Sequence, residues 1–203
     1  MFIPKLYRSE DHDLMREIIR DNAFALLISS VEKIRATHSM MILNENDPEN
    51  VYVETHISRA NPQAKTLKDG DEVLCDFLGA HTYISSSWYD HMNVSTWNYE
   101  AVQIYGKVQL MNHDELYRHL DKLTSKYESF QKCPVMVKDM GREFVEKEMK
   151  GAFGLKIIPT EIFIKQKLSQ NRKDHDYQNI ISELEHSDEN GRKIAEKMKL
   201  IKK

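Results

Sequence analysis

The densest group of side chains that could bind an anion follows a strongly alternating segment. His56, Ser58, Arg59, Asn61 and Lys65 lie within ten residues. Arginine offers a phosphate a planar fork of donors and lysine a compact charge, while the hydroxyl and amide groups add neutral donors. This spacing indicates an anion site. A solvated strand end followed by a polar turn fits the same residues and remains the alternative.

Two further segments combine hydroxyl groups with large aromatic rings. The first reads GAHTYISSSWY and holds Ser85, Ser87 and Trp88; the second reads NVSTWNY and holds Trp97 and Tyr99. Trp97 and Tyr99 share one face if their segment is extended. A pocket for a flat ring needs such a mixture of apolar surface and a few polar groups. Ordinary core packing would produce the same pattern, so both interpretations stay open.

A fourth segment, KQKLSQNR, begins where strand-like alternation ends at Lys165. Ser169 and Asn171 can both cap a helix, so the pattern predicts a helix that begins at one of them. Because helix N-termini attract anions, this is a second candidate anion site. The alternative is a capped helix start with a solvated basic entry.

Several classes of protein lack support in this sequence. It contains no HExxH, GxSxG, GxGxxG or P-loop motif, and no catalytic constellation is evident. The net charge of −3 and a pI near 6.3 give no overall basic field for nucleic acid. Three histidines occur in strand-like regions (His38, His56 and His81), and six are predicted at the surface (His12, His91, His113, His119, His175 and His186). We therefore predict no metal site from spacing.

Cysteine use and hydropathy predict a cytoplasmic protein. Cys75 and Cys133 are too few for a disulfide framework, which is typical of a reducing compartment. The N-terminus has no apolar signal segment, and no run approaches the roughly 20 apolar residues of a membrane-spanning helix.

Periodicity predicts a mainly β protein with helices. A first helix should begin after Ser9 or Asp11, and Asn112 with Glu115 resembles a capping box. A polar loop containing Pro48 separates two of the strands, and two amphipathic helices end the chain. About seven strands joined by short turns favour a closed or partly open antiparallel barrel. The predicted strands cover 24–31, 34–43, 51–58, 72–78, 82–87, a long alternating segment through 102–110, and 151–165 as one strand or two.

These segments together resemble the PaiB family of FMN-binding negative transcriptional regulators. The matching stretches occur in family order and span nearly the whole chain. They read MFIPKLY, ATHSMMIL, THISRANPQAK, GAHTYISSSWY, NVSTWNYEAVQIYGKV, VEKEMKGAFGLKI and KLSQNRKDHDYQNII.

The resemblance implies an FMN-binding split β-barrel over residues 1–165 and a C-terminal helical extension over 166–203. The extension would pack on the barrel or on a partner subunit. Proteins of this fold are usually homodimers with flavin sites at the subunit interface.

The resemblance also implies which residues bind FMN. The phosphate should meet His56, Ser58, Arg59, Asn61 and Lys65, and Thr37 and His38 on the neighbouring hairpin are expected to line the same cleft. Ser85, Ser87, Trp88, Trp97 and Tyr99 are candidates for the ring or ribityl region. Lys167, Ser169, Gln170 and Asn171 are expected to close the site, from the same or the partner subunit.

Three functions follow as alternatives. The first is a flavin-responsive regulator, whose DNA contact would have to use basic residues near the C-terminus. These residues are interleaved with acidic ones and comprise Lys165, Lys167, Arg172, Lys173, Arg192, Lys193, Lys197, Lys199, Lys202 and Lys203. The second is a flavin-dependent oxidoreductase acting on a small molecule, with His38, His56 or His81 as proton donor. The third is an interaction module that docks on a protein partner.

Overall fold

The computed structural model describes residues 1–45 and 51–201, and these contain seven strands and five α-helices. Three short 3-10 turns also occur, at Lys5–Tyr7, Ser86–Trp88 and Val137–Asp139. In chain order the strands and helices are β1 (Arg8–Ser9), α1 (His12–Asp21), β2 (Phe24–Ser29), β3 (Arg35–Asn44), β4 (Tyr52–Ser58), β5 (Glu72–Ile84), β6 (Thr96–Leu110), α2 (His113–Glu128), α3 (Arg142–Met149), β7 (Ala152–Lys167), α4 (Asp174–Glu185) and α5 (Glu189–Ile201).

All seven strands belong to one sheet, in the order β1-β7-β4-β3-β2-β5-β6, and β7 also pairs with β6. This second pairing closes six strands into a barrel and leaves β1 as an extra strand on β7. Strand β2 pairs antiparallel with β3 and β5, and β4 pairs antiparallel with β3 and β7. Closure satisfies edges that an open sheet would expose. The predicted antiparallel barrel with peripheral and C-terminal helices is confirmed.

Local capping explains where the first two helices begin. The Asp11 carboxylate accepts from the backbone N–H groups of Asp13 and Leu14, at 2.8 and 3.1 Å. At α2 the side chain of Asn112 accepts from the Glu115 N–H, and the Glu115 carboxylate accepts from the Asn112 N–H. Each contact satisfies an amide that has no partner inside the helix. Both predicted helix starts are confirmed.

Two predicted boundaries were wrong. The segment 72–78 and residues 82–84 form a single strand, β5, because Gly79 does not make a turn, and the rest of the predicted strand 82–87 leads into the 3-10 turn Ser86–Trp88. A Cβ at Gly79 would lie 3.2 Å from the carbonyl oxygen of Glu100, so this glycine allows a close approach to β6. Helix α4 begins at Asp174, later than predicted. Ser169 instead adopts a φ of 59° in a turn closed by the Arg172 N–H to the Ser169 carbonyl.

The described chain forms two compact units. The first contains Met1–Asn22, Phe77–Gln103 and the chain from Ile162 onward; the second contains Ala23–Asp76 and Ile104–Glu161. In the first unit, Tyr177, Ile180 and Leu184 of α4 are fully buried. In the second, Leu116, Val145 and Met149 bury the contact of α2 with α3. The predicted division of the chain after residue 165 stays a prediction.

Over residues 1–45 and 51–201, each helix falls short of the length and apolarity needed to cross a bilayer.

Candidate functional site

The phosphate-binding candidate lies in the second unit, at the point where β4 ends. The chain turns immediately after Ser58, whose hydroxyl accepts from the Ala60 N–H and whose carbonyl accepts from the Asn61 N–H. The Asn61 carbonyl then accepts from the Ala64 N–H. We refer to residues Ser58–Lys65 as the β4 turn. Its backbone is held in one shape by its own hydrogen bonds, so its side chains leave from defined positions.

Arg59 is exposed, yet its guanidinium is oriented. Its Nε donates to the carbonyl of Lys150 at 3.2 Å and Nη2 donates to the carbonyl of Ala152 at 2.9 Å. The guanidinium carbon also lies 5.6 Å from the ring centre of Phe153. Carbonyl groups orient the guanidinium without neutralising it, so its full positive charge remains at the surface.

The cations of the β4 turn differ from other cations of the same unit. Lys122 pairs with Glu54 at 3.2 Å and Lys156 pairs with Glu115 at 2.5 Å. By contrast, neither Arg59 nor the exposed Lys65 forms a salt bridge with a carboxylate of residues 1–45 and 51–201. Two uncompensated cations beside a serine hydroxyl are suited to a phosphate monoester. The residues present therefore fit the phosphate of FMN.

A buried glutamine anchors the β4 turn to two strands. Gln63 has no exposed surface, and its amide nitrogen donates to the Leu27 carbonyl at 3.2 Å and the Ser29 hydroxyl at 2.9 Å. Its amide oxygen accepts from the Thr37 hydroxyl at 2.7 Å, and Thr37 accepts in turn from the Asn61 side chain at 3.0 Å. The hydroxyl proton of Thr37 is thus donated within the protein, to Gln63. In this arrangement Thr37 and Asn61 position the turn.

His56 belongs to a chain of buried polar groups. Its Nδ1 lies 3.0 Å from Nε2 of His119 on α2, and Nδ1 of His119 lies 3.8 Å from the carboxylate of Glu54. The second distance is too long for a hydrogen bond. Burial and the neighbouring His119 lower the pKa of His56 to about 4. His56 is therefore neutral at pH 7 and adds no positive charge near the turn.

The same environment favours the charged form of Glu54, whereas it favours the neutral form of His56. Burial alone would raise the pKa of its carboxyl group, but His119 and the ammonium group of Lys122 outweigh burial and lower this pKa to about 2. His119 was predicted at the surface, and that prediction was wrong because α2 covers this face of β4 and leaves the histidine 1% exposed.

His38 does not join this group. It is exposed on β3, where its ring stacks on Phe24 with centroids 5.5 Å apart. Thr37 and His38 are consecutive residues of a strand, so their side chains project to opposite faces. The structure brings Thr37 to the β4 turn and directs His38 toward β2.

Ser85 and Ser87 of the first unit bond mainly to each other. The hydroxyls of Ser85 and Ser87 lie 2.8 Å apart, and the Ser87 N–H donates to the Ser85 hydroxyl at 3.2 Å. This contact opens the short 3-10 turn that carries Trp88. The half-buried Trp88 packs on the core formed by α4 and α5. These three residues are placed by local hydrogen bonds and core packing.

An exposed group of rings lies on β5 and β6. Trp97 is 52% exposed, and its ring centre is 6.1 Å from that of Tyr83 and 6.3 Å from that of His81. We call these three residues the aromatic patch. Nδ1 of His81 donates to the Gly79 carbonyl at 2.9 Å, which leaves Nε2 as an acceptor when the ring is neutral. The patch offers a flat apolar surface beside one basic nitrogen.

Basic residues of β7 contact the start of β6 in the same unit. The ammonium of Lys165 lies 4.9 Å from the ring centre of Tyr99 and donates to the Phe2 carbonyl at 3.3 Å. Lys167 donates to the Thr96 hydroxyl. Burial and the nearby charges of Lys165 and Arg172 lower the pKa of Lys167. Lysines that repel one another are suited to an anionic or electron-rich partner.

The remaining predicted residues after β7 have mainly internal partners. The Ser169 hydroxyl donates to the side chain of Asn98 at 3.1 Å, and both are buried. Gln170 accepts from the Leu168 N–H and donates to the Gln166 carbonyl. Asn171 is exposed. Gln170 and Ser169 thus shape the end of β7, and Asn171 offers its side chain to solvent.

Three residues of these groups were missed from the sequence: Gln63, His119 and Lys165. Gln63 lies inside the segment THISRANPQAK, between the predicted ligands Asn61 and Lys65. Its polar side chain at that position was the available signal. Lys165 was considered as the start of the segment KQKLSQNR and as a DNA contact, but not as a partner of Tyr99. His119 gave no signal, because its partners lie on β4, more than sixty residues earlier.

Comparisons with known proteins agree with this geometry. Residues 1–161 match a protein family described as "Putative FMN-binding domain". The "Protease synthase and sporulation protein PAI 2" of Bacillus subtilis (strain 168) is 36% identical over 200 residues, covering 98% of this chain and 96% of that protein.

Two solved structures share the fold. The FAD and heme binding protein from Mycobacterium smegmatis superposes with a TM-score of 0.61 at 15% identity, covering 85% of this chain and 79% of that one. A conserved hypothetical protein from Mycobacterium tuberculosis gives a TM-score of 0.58 at 11% identity, covering 81% and 90%. The barrel, the family match and the similarity to the Bacillus protein lead to one assignment: this chain belongs to the PaiB-type family of FMN-binding domains.

Proposed function

We propose that the β4 turn binds the phosphate of FMN, with Arg59 and Lys65 as the charged ligands and Ser58 as a hydroxyl donor. The observation that carries this proposal is that both cations lack a carboxylate partner within the described residues, whereas Lys122 and Lys156 of the same unit are paired. Thr37 and Asn61 serve by holding the turn in place. His56 acts as a neutral neighbour.

The aromatic patch and Tyr99 are proposed to contact the flavin ring, with Lys165 and Lys167 supplying positive charge on the first unit. Bound FMN supplies the redox-active ring, and the protein binds and orients it. Ser85, Ser87 and Trp88 complete this proposed surface, and Ser169, Gln170 and Asn171 border it. The proposed assembly is a homodimer in which each copy contributes the β4 turn and the aromatic patch. In each copy, residues 1–165 form the barrel and residues 166–203 form a helical extension.

A comparison of FMN with riboflavin tests the phosphate proposal, because riboflavin has the same ring and no phosphate. Arg59→Ala and Lys65→Ala should each weaken FMN binding about tenfold or more, as expected for a lost charge-assisted contact. Riboflavin binding should be unchanged. Lys132→Ala, at another exposed lysine of the second unit, is the matched control. Equal losses for FMN and riboflavin, or no loss for FMN, would contradict the assignment.

The cellular role proposed for the FMN-loaded dimer is negative regulation of transcription in the cytoplasm. The Bacillus relative is named a protease synthase and sporulation protein, which supports a role in gene expression. Three of the C-terminal cations are paired with carboxylates and offer less free charge to DNA: Lys193 pairs with Glu189, Lys197 with Glu17 and Lys199 with Glu185. Lys202 and Lys203, also considered as DNA contacts, lie outside the described residues.

A promoter-fusion assay with and without the protein tests regulation, and gel-shift titrations at two salt concentrations test direct DNA contact. Repression accompanied by strongly salt-dependent binding would support a DNA-binding regulator. Repression without DNA binding would point to a protein partner instead. Light-scattering mass measurements of the purified protein test the homodimer.

A flavin-dependent oxidoreductase is the second candidate, and the position of His81 favours it. Among the three histidines considered as proton donors, His81 alone belongs to the aromatic patch, and its Nε2 could accept a proton. NAD(P)H oxidation by the FMN-loaded protein above the rate with free FMN, reduced in His81→Gln, would support an enzyme. Rates equal to those of free FMN would argue against it.

A further inference from the structure

A group of metal-binding side chains lies at the start of α4, apart from the residues assigned to FMN. Asp90, His91 and Asp176 place one ligand atom each within 4.8 Å of the others. Nδ1 of His91 is 2.7 Å from Oδ1 of Asp90 and 3.7 Å from Oδ2 of Asp176. Two carboxylates and an imidazole nitrogen thus face one point.

The burial of Asp176 is the second observation. Its side chain is 4% exposed, and its Oδ1 accepts from the Asp90 N–H at a long 3.3 Å. No lysine or arginine within residues 1–45 and 51–201 forms a salt bridge with it. A buried carboxylate is costly unless a positive charge compensates it. Asp90 and His91 are more than half exposed, so an ion could reach Asp176 from solvent.

His175 lies beside the same group, and its Nδ1 is also 3.3 Å from Nδ2 of Asn179. It precedes Asp176 in the first turn of α4, is exposed, and its Nδ1 lies 3.6 Å from Oδ2 of Asp90.

We propose that Asp90, His91 and Asp176, with His175, bind a divalent transition-metal ion that joins the segment after Trp88 to the first turn of α4. Mixed imidazole and carboxylate ligands suit Zn²⁺ and its neighbours in the first transition row. Mg²⁺ and Ca²⁺ prefer oxygen ligands alone and are poor occupants of this site.

The second unit contains a histidine that serves as a matched control. His113 also contacts two carboxylates, but Asp114 lies 3.2 Å from its Nδ1 and Glu146 lies 2.5 Å from its Nε2. The two carboxylates meet opposite sides of the ring, so one ion cannot contact all three groups. By composition this cluster resembles the proposed site, because both contain a histidine and two carboxylates. The two clusters differ in geometry, since the carboxylates around His113 do not face one point.

The test is calorimetric titration of ZnCl₂ into the whole chain, purified without a histidine tag and treated with chelator. We expect one Zn²⁺ per chain, with affinity reduced about tenfold or more in Asp176→Asn and in His91→Gln. His113→Gln and Cys133→Ser should bind as the wild type does, the latter because Cys133 is an exposed thiol that could bind zinc on its own. A tenfold excess of Mg²⁺ should not compete.

Zinc should also raise the melting temperature of the wild type and not that of His91→Gln, because an ion that binds only the folded state stabilises it. His91 is half exposed, so this variant should fold even if Asp176→Asn does not. The proposal is overturned if the wild type binds no zinc, if both ligand variants bind it as the wild type does, or if His113→Gln or Cys133→Ser abolishes binding.

Discussion

Gln63→Ala should cost more stability than its chemistry suggests, because Gln63 links three separate segments. Its side chain is fully buried and makes hydrogen bonds to Leu27, Ser29 and Thr37. Alanine removes all three bonds and leaves buried polar groups of β2 and β3 without this partner.

The magnitude follows from the number of bonds. A hydrogen bond inside a protein contributes about 1 kcal/mol net, so three of them amount to about 3 kcal/mol. The cavity left by the shortened side chain adds to this loss. We therefore expect the free energy of unfolding to fall by about 3 kcal/mol or more. FMN binding should weaken as well, because the Thr37 contact that holds Asn61 loses its support.

Urea unfolding followed by far-UV circular dichroism measures this loss, since both tryptophans lie in the first unit and would report poorly on the second. Gln178→Ala, at an exposed position of α4, is the control and should change stability by less than about 0.5 kcal/mol. A loss below about 1 kcal/mol in Gln63→Ala, or equal losses in both variants, would refute the proposed anchoring network.

Two further predictions concern barrel closure and pH. Gly106→Ala should destabilise the protein by about 2 kcal/mol in the same assay, because the added Cβ would lie 2.6 Å from the carbonyl oxygen of Ile158 on the neighbouring strand. Unchanged stability would mean that β6 and β7 do not approach this closely. Since the pKa of His56 is lowered from 6.5 to about 4, the unfolded chain binds more protons between these values, and stability should fall as the pH falls through this window. Wild type should lose about 2 kcal/mol more than His56→Asn between pH 7 and pH 4.5, and equal losses would contradict the buried neutral histidine.

Much of the fold was accessible from the sequence because local rules governed it. Asp11 and Asn112 cap helices through contacts within three residues, and these starts were predicted correctly. Alternation identified β4, since side chains of a strand alternate between faces. The β5 boundary failed because Gly79 looked like a turn residue, while its role depends on Glu100 of another strand.

The candidate site was only partly accessible for the same reason. Residue types in the segment from His56 to Lys65 indicated an anion site, which stays a prediction; within residues 1–45 and 51–201, Arg59 and Lys65 form no salt bridge with a carboxylate. The sequence did not distinguish the proposed ligands from the residues that position them, because Thr37 and Asn61 are as polar as Ser58. Their hydrogen bonds to each other and to Gln63 assign them to positioning.

The order and types of residues by themselves determined the barrel class, the starts of α1 and α2 and the family, since these depend on periodicity, short-range capping and joint matches along the chain. Only the tertiary structure placed His119 against His56, Lys165 over Tyr99, and Asp176 beside His91. Each of these pairs joins residues more than sixty positions apart, and their proximity depends on strand pairing and helix packing. Burial then set the protonation state of His56, which no local pattern encodes.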